Sequence, residues 1–209
     1  KVAVVDENGN VTAVGVGKCI INCRTSGDLI SKCQVQVRMS AASVAIEAEK
    51  NSIYIGEVLP LRAVITPEDS TDSIEWLSDN ADIAYVTSNG TVKGKSSGTA
   101  TITARLTNDV TGKIVSSSFE IKVMKMADSV RLSGGSLSMR VGDSDSLTFT
   151  MLPDDSNDTF RWYSTDDNVA SVRDDGLITA VAPGTCYICI ETGSGAEARC
   201  KVTVAGTDG

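Results

Sequence analysis

Six cysteines and no histidine in 209 residues bound the chemistry open to this chain. Without an imidazole there is no His-dependent catalytic triad, no His-ligated zinc and no histidine general base. The cysteines fall into two groups of three: Cys19, Cys23 and Cys33, then Cys186, Cys189 and Cys200. In each group the first and last members are 14 residues apart. Both sit in alternating apolar stretches, Cys19 with Ile21 and Cys200 with Val202 and Val204. A hairpin joining the two stretches is expected to bring Cys19 to Cys33 and Cys186 to Cys200 as disulfides. Each closed loop would contribute roughly 3 kcal/mol on the chain-entropy account and would imply an oxidising compartment. The alternative is that these cysteines are buried free thiols, a common state in cores. Cys23 and Cys189 are left over as free thiols, Cys189 facing outward. The Cys186-x-x-Cys189 spacing suggests zinc, but residues i and i+3 of a strand point to opposite sides and cannot share one ion. No metal site is expected from the cysteines.

Carboxylates are the other abundant reactive group. Glu68, Asp69 and Asp72 form one acidic loop and Asp154, Asp155 and Asp158 another, with Asp166, Asp167, Asp174 and Asp175 nearby. Such loops could take calcium. No D-x-D-x-D-G run ending in glutamate is present, so calcium is a secondary expectation and solvated turns the first. Nothing marks a carboxyl held in an apolar pocket beside a nucleophile, so no catalytic residue is expected. Trp76 and Trp162 could stack on sugars, but their place inside apolar-alternating segments makes them core anchors. Tyr54, Tyr163 and Tyr187 are better candidates for surface aromatics.

The acidic excess, 27 against 19 basic residues and a net charge of −8, disfavours nucleic acid as a partner. No stretch approaches 18 consecutive apolar residues, so no membrane insertion is expected. The opening KVAVVDENGN lacks the charged and apolar regions of a signal peptide, placing any export signal outside this segment. Hydrophobic residues at 41 % suffice for a packed core.

The elements that must position these residues recur. Pro67 matches Pro153, Trp76 matches Trp162, Val86 matches Val172 and Gly98 matches Gly184, each 86 residues apart. The opening residues repeat the phrase a third time, with Gly17 placed 167 before Gly184. The chain therefore reads as a tandem array. Residues 1–37 form the C-terminal half of a first domain, 42–123 a second domain and 127–205 a third. The joints RMSAA and MKMAD are short and not rich in Gly, Ser or Pro, which predicts a stiff rod. Within a repeat, Leu147, Phe149 and Met151 alternate with threonines, as do Ala100, Ile102 and Ala104. Asn89-Gly90, Asp175-Gly176 and Ser194-Gly195 supply turns. Short alternating strands at regular spacing, with no 3.6-residue period, predict an all-β chain of tandem antiparallel β-sandwiches.

One phrase carries a resemblance. Trp162, Ser164, Val169-Ala170, Val172, Gly176, Ile178-Thr179-Ala180, Gly184-Thr185 and Ile188 are similar to the group 2 bacterial immunoglobulin-like domain. The second repeat keeps Trp76, Ser78, Val86, Gly90, Val92, Gly98-Thr99 and Ile102, departing at Ile83-Ala84-Tyr85 and Lys93-Gly94. The resemblance implies an immunoglobulin-like fold, an extracellular or bacterial cell-surface location and no catalytic residues. It implies a stalk or adhesion module that spaces or presents a binding or enzymatic module. Phage virion decoration with affinity for cell-surface glycans is one alternative, and an accessory module of an extracellular carbohydrate-active enzyme is another. The expected partners are a host surface protein or glycan and the neighbouring domains of the same polypeptide. No cofactor beyond the calcium already considered is expected. The half-length first repeat could be completed by strands from another chain, or could simply reflect where the segment was cut.

Overall fold

The computed structural model describes residues 1–206. Every regular element among them is a strand, and none is a helix long and apolar enough to cross a membrane. The residues form two compact units. The first gathers Lys1–Asn51, Val58–Lys93 and Thr99–Ile121, and the second gathers Ser52–Glu57, Gly94–Gly98 and the chain from Lys122 onward.

In the second unit the third repeat builds a four-stranded sheet in the order Ser136–Arg140, Glu197–Ala205, Gly184–Thr192 and Phe160–Ser164. The first two run parallel, and the remaining pairings are antiparallel. A three-stranded sheet of Ser144–Ser146, Leu177–Ala180 and Ala170–Val172 and a two-stranded pair of Ser129–Leu132 with Phe149–Leu152 complete the repeat. Alternation decides which face is buried. Cys186, Ile188 and Ile190 on one strand and Cys200, Val202 and Val204 on its neighbour turn inward, where they meet Trp162, Ile178, Leu147 and Met139. Each fully buried Ile or Val contributes about 1.5–3 kcal/mol relative to exposure. Phe149 packs edge-on against Trp162 at 5.9 Å between ring centroids.

The turn before Leu177 shows why one glycine is required. Gly176 sits at φ +81°, and a Cβ there would strike the Leu147 carbonyl and stand 3.3 Å from the Trp162 ring. Gly90 holds the same position against Trp76 at φ +83°.

The second repeat follows the same sheet orders: Ser52–Tyr54, Ile114–Met124, Gly98–Thr107 and Ser73–Ser78 in one, Ala84–Val86, Thr91–Gly94 and Val58–Pro60 in another, and Ser43–Glu47 with Arg62–Thr66 as a pair. In the first unit its core comprises Leu59, Leu61, Trp76, Val86, Val92, Ile102, Leu106 and Ile121, all buried. Residues 3–37 form two hairpins, Ala3–Val5 with Val11–Ala13 and Gly17–Arg24 with Ile30–Val37. Their inward residues Ile21, Val35 and Val37 are half-buried.

Candidate functional site

The structure corrects the expected disulfides: all six cysteines are free. The hairpins form and the cysteines lie in them, but the register is displaced. Cys186 is opposite Val202 and Cys200 is opposite Ile188. Likewise Cys19 is opposite Val35 and Cys33 is opposite Ile21. Each pair is therefore diagonal, a relationship of about 7–8 Å, whereas a disulfide needs Cβ atoms about 3.8 Å apart. Cys186 and Cys200 are buried in the core of the third repeat, and burial pushes the Cys200 thiol pKa up. Cys23 and Cys33 are exposed and Cys19 is half-buried.

Cys189 also departs from expectation. It lies on the strand face opposite Ile188 and Ile190, yet it is only 2 % exposed. The cover is a polar cluster on the outer sheet surface. Tyr163 lies across from Cys189 on one neighbouring strand and Arg199 on the other. The Tyr163 phenol donates to Glu197 Oε1 at 2.8 Å. Arg161 stands 5.4 Å over the Tyr163 ring and donates from Nε and Nη2 to Glu191 Oε2 at 2.8 and 2.5 Å. Arg199 stands 5.1 Å over Tyr187. Burial pushes the Cys189 thiol pKa up, and the bond to Glu197 raises the Tyr163 phenol far above its usual range. Cys189 is thus a protonated, covered thiol with little nucleophilic character. In the second repeat the corresponding cross-strand pair is Leu77 and Thr103, so this tyrosine-bearing face is peculiar to the third repeat. The sequence offered both tyrosines as surface aromatics; only the strand pairing shows that they share a face.

The acidic loops divide into exposed and buried members. Glu68, Asp69, Asp154, Asp166, Asp167, Asp174 and Asp175 are exposed. Asp155 receives Lys125 Nζ at 2.7 Å. Asp158 is 6 % exposed and accepts from Tyr54 Oη, Ala127 N, Thr159 N and Ser194 N. Asp72 is half-buried and accepts from Ser40 Oγ, Ala41 N and Asn108 Nδ2. Among the described residues no group of three or more acidic or cysteine side chains converges on a point that could hold a metal ion. The resolved carboxyl shifts, at Asp6, Asp72, Asp79, Asp155 and Asp158, are all downward. These groups are anions at neutral pH and cannot serve as stored-proton general acids. Trp76 and Trp162 are 9 % and 8 % exposed and present no platform for a sugar.

Two repeats share the same sheet orders, the same buried tryptophan and the same glycine beneath it. The sequence matches the bacterial Ig-like domain (group 2) at residues 40–116 and 126–203. The chain belongs to that family. Its group 2 domains are non-catalytic immunoglobulin-like modules. Among similar proteins, lacto-N-biosidase of Bifidobacterium bifidum is 37 % identical over 73 residues, covering 35 % of this chain and 7 % of that enzyme. A 3-O-alpha-D-galactosyl-alpha-L-arabinofuranosidase of Bifidobacterium longum subsp. longum is 37 % identical over 81 residues, covering 38 % of this chain and 7 % of that enzyme. The chain therefore matches a small part of these relatives' length. Among solved structures, domains 1–6 of the surface layer protein SbsC give a TM-score of 0.36 at 14 % identity, covering 99 % of this chain and 37 % of that one.

Proposed function

We propose that this chain is a non-catalytic tandem Ig-like stalk of an extracellular or cell-surface bacterial protein, spacing or presenting a binding or enzymatic module. The observation that carries this reading is the hydrogen bonding of the segment leading into the third repeat. Lys125 N donates to Asn157 Oδ1 at 2.6 Å, Ala127 N to Asp158 Oδ2 at 3.2 Å and Asp128 N to the Leu152 carbonyl at 2.7 Å. A flexible tether would leave these groups to water; a spacer that transmits distance would fix them. The reading also agrees with the non-catalytic, immunoglobulin-like character of the family.

A second reading is favoured by the two bifidobacterial glycosidases: an accessory module of an extracellular carbohydrate-active enzyme. In that role the Tyr163–Tyr187 face would meet glycan. One experiment separates the two. The folded chain is applied to arrays of bacterial and host glycans, mucins and matrix proteins. Saturable glycan binding lost in Tyr187→Ala supports the accessory reading. Silence from a chain shown to be folded supports the spacer.

A further inference from the structure

Within the second unit, one cluster joins four stretches that lie apart in sequence. Tyr54 ends the strand Ser52–Tyr54, which runs parallel to Lys122–Met124. Its phenol donates to Asp158 Oδ1 at 2.6 Å. The same oxygen takes Thr159 N at 2.8 Å, while Oδ2 takes Ala127 N at 3.2 Å and Ser194 N at 3.1 Å. An ionised carboxylate has about four acceptor sites. All four are occupied, none by a lysine or arginine. Burial works to raise the Asp158 pKa, but the bonds from Ser194, Tyr54 and Ala127 outweigh it and the net shift is downward.

The main chain at Tyr54 is anchored as well. Tyr54 N donates to Glu57 Oε2 at 2.9 Å, and Ile55 N donates to the Met124 carbonyl at 2.9 Å. Tyr54 therefore grips the chain just before Lys125 through its backbone neighbour. Through its side chain it grips the carboxylate that receives Ala127, just after. Gly193 provides the clearance. A Cβ there would lie 2.6 Å from Tyr54 Oη and 3.0 Å from Asp158 Oδ1, and would strike Thr159 Oγ1. The corresponding residue of the second repeat is Thr107, where Asp72 takes Asn108 Nδ2 and no tyrosine. Glycine stands where the phenol passes, and a larger residue where none does.

We propose that Tyr54, Asp158 and Gly193 form a strap, centred on the buried Asp158 carboxylate, that holds the Lys125–Asp128 segment in place. The Tyr54 phenol, supplied by one repeat to the carboxylate of the next, sets how often that segment opens. This goes beyond the stalk reading and holds whether the chain spaces or adheres.

The test compares the full chain with Tyr54→Phe, with Gly193→Ala and with the exposed-site control Tyr85→Phe. Amide hydrogen exchange is followed at Ala127, Thr159 and Ser194, with Ile188 and Ile190 reporting the core. Trypsin cleavage after Lys125 reports opening independently. Tyr54→Phe should lower protection at Ala127 and Ser194 about tenfold or more, because the lost bond is to a charged acceptor. It should speed cleavage after Lys125 by a similar factor, leaving the core amides and Tyr85→Phe unchanged. Gly193→Ala should reproduce the local loss although the phenol is intact. Unchanged protection at Ala127 and Ser194 in Tyr54→Phe would overturn the strap. So would a loss spread equally over the core amides, which is global destabilisation.

Discussion

Asp72 and Asp158, 86 residues apart, accept the same bond in successive repeats. Ala41 N reaches Asp72 Oδ2 at 2.8 Å and Ala127 N reaches Asp158 Oδ2 at 3.2 Å. The residue before each aspartate repeats the pattern: Thr71 Oγ1 takes Met39 N at 3.2 Å, and Asn157 Oδ1 takes Lys125 N at 2.6 Å. In each repeat this acidic loop is a clamp on the entering chain. Asp72 and Asp158, which by spacing belong to the candidate calcium loops, hold the main-chain amides of Ala41 and Ala127.

Acid should therefore loosen the fold through these residues. At Asp158 burial opposes ionisation, but the bonds from Ser194, Tyr54 and Ala127 prevail and the folded pKa lies below the ordinary value. A depressed pKa contributes stability that is present above the unfolded value of about 4 and is lost as pH falls through the folded one. Urea midpoints should be flat near neutrality and drop below about pH 4. Asp158→Asn should flatten that drop and cost about 2–3 kcal/mol at pH 7. An unaltered acid limb in the variant would refute the assignment.

Thiol reactivity should follow burial. In native buffer Cys23 and Cys33 should label quickly, while Cys186, Cys189 and Cys200 should resist until the chain unfolds. Intact mass after labelling in denaturant should show six additions. Fewer would mean that disulfides had formed after all. Tyr163→Ala should open Cys189 to reagent in the native state while Cys186 and Cys200 stay closed.

Gly90→Ala and Gly176→Ala should each be severe, since both glycines hold positive φ against a tryptophan ring. Backbone strain and the displaced ring together should cost about 2–4 kcal/mol. Denaturant titration followed by tryptophan fluorescence would show it. At Gly9, where φ is +83° but the space is open, the cost should be confined to the strain, about 1 kcal/mol.

The Arg161–Glu191 pair should contribute little by comparison. Its arginine side chain is 72 % exposed, where solvent screens the attraction and the cost of holding two long side chains in one geometry offsets most of the gain. Glu191→Gln should shift the melting temperature only slightly, and 1 M salt should erase the difference. A large loss would show that Arg161 matters chiefly as cover for Tyr163 and Cys189.

By itself the sequence determined the repeat, the β class and the buried tryptophans. These rest on local properties: a two-residue alternation, glycines where positive φ is needed, and an 86-residue period readable along one strand of text. Cysteine pairing was not local. The hairpin of the third repeat turns about Ser194, whereas Cys186 and Cys200 are symmetric about Gly193, and a turn displaced by one residue moves every cross-strand partner by two. The first hairpin is displaced in the same way, turning about Gly27 while its cysteines are symmetric about Ser26. Burial of Cys189 required Tyr163 and Arg199 to be brought alongside by neighbouring strands. The role of Asp158 required donors from residues 54, 127 and 194 to meet at one carboxylate. Tertiary structure decided these points, because register and the convergence of distant donors depend on how strands pair, and spacing along the chain does not encode that pairing.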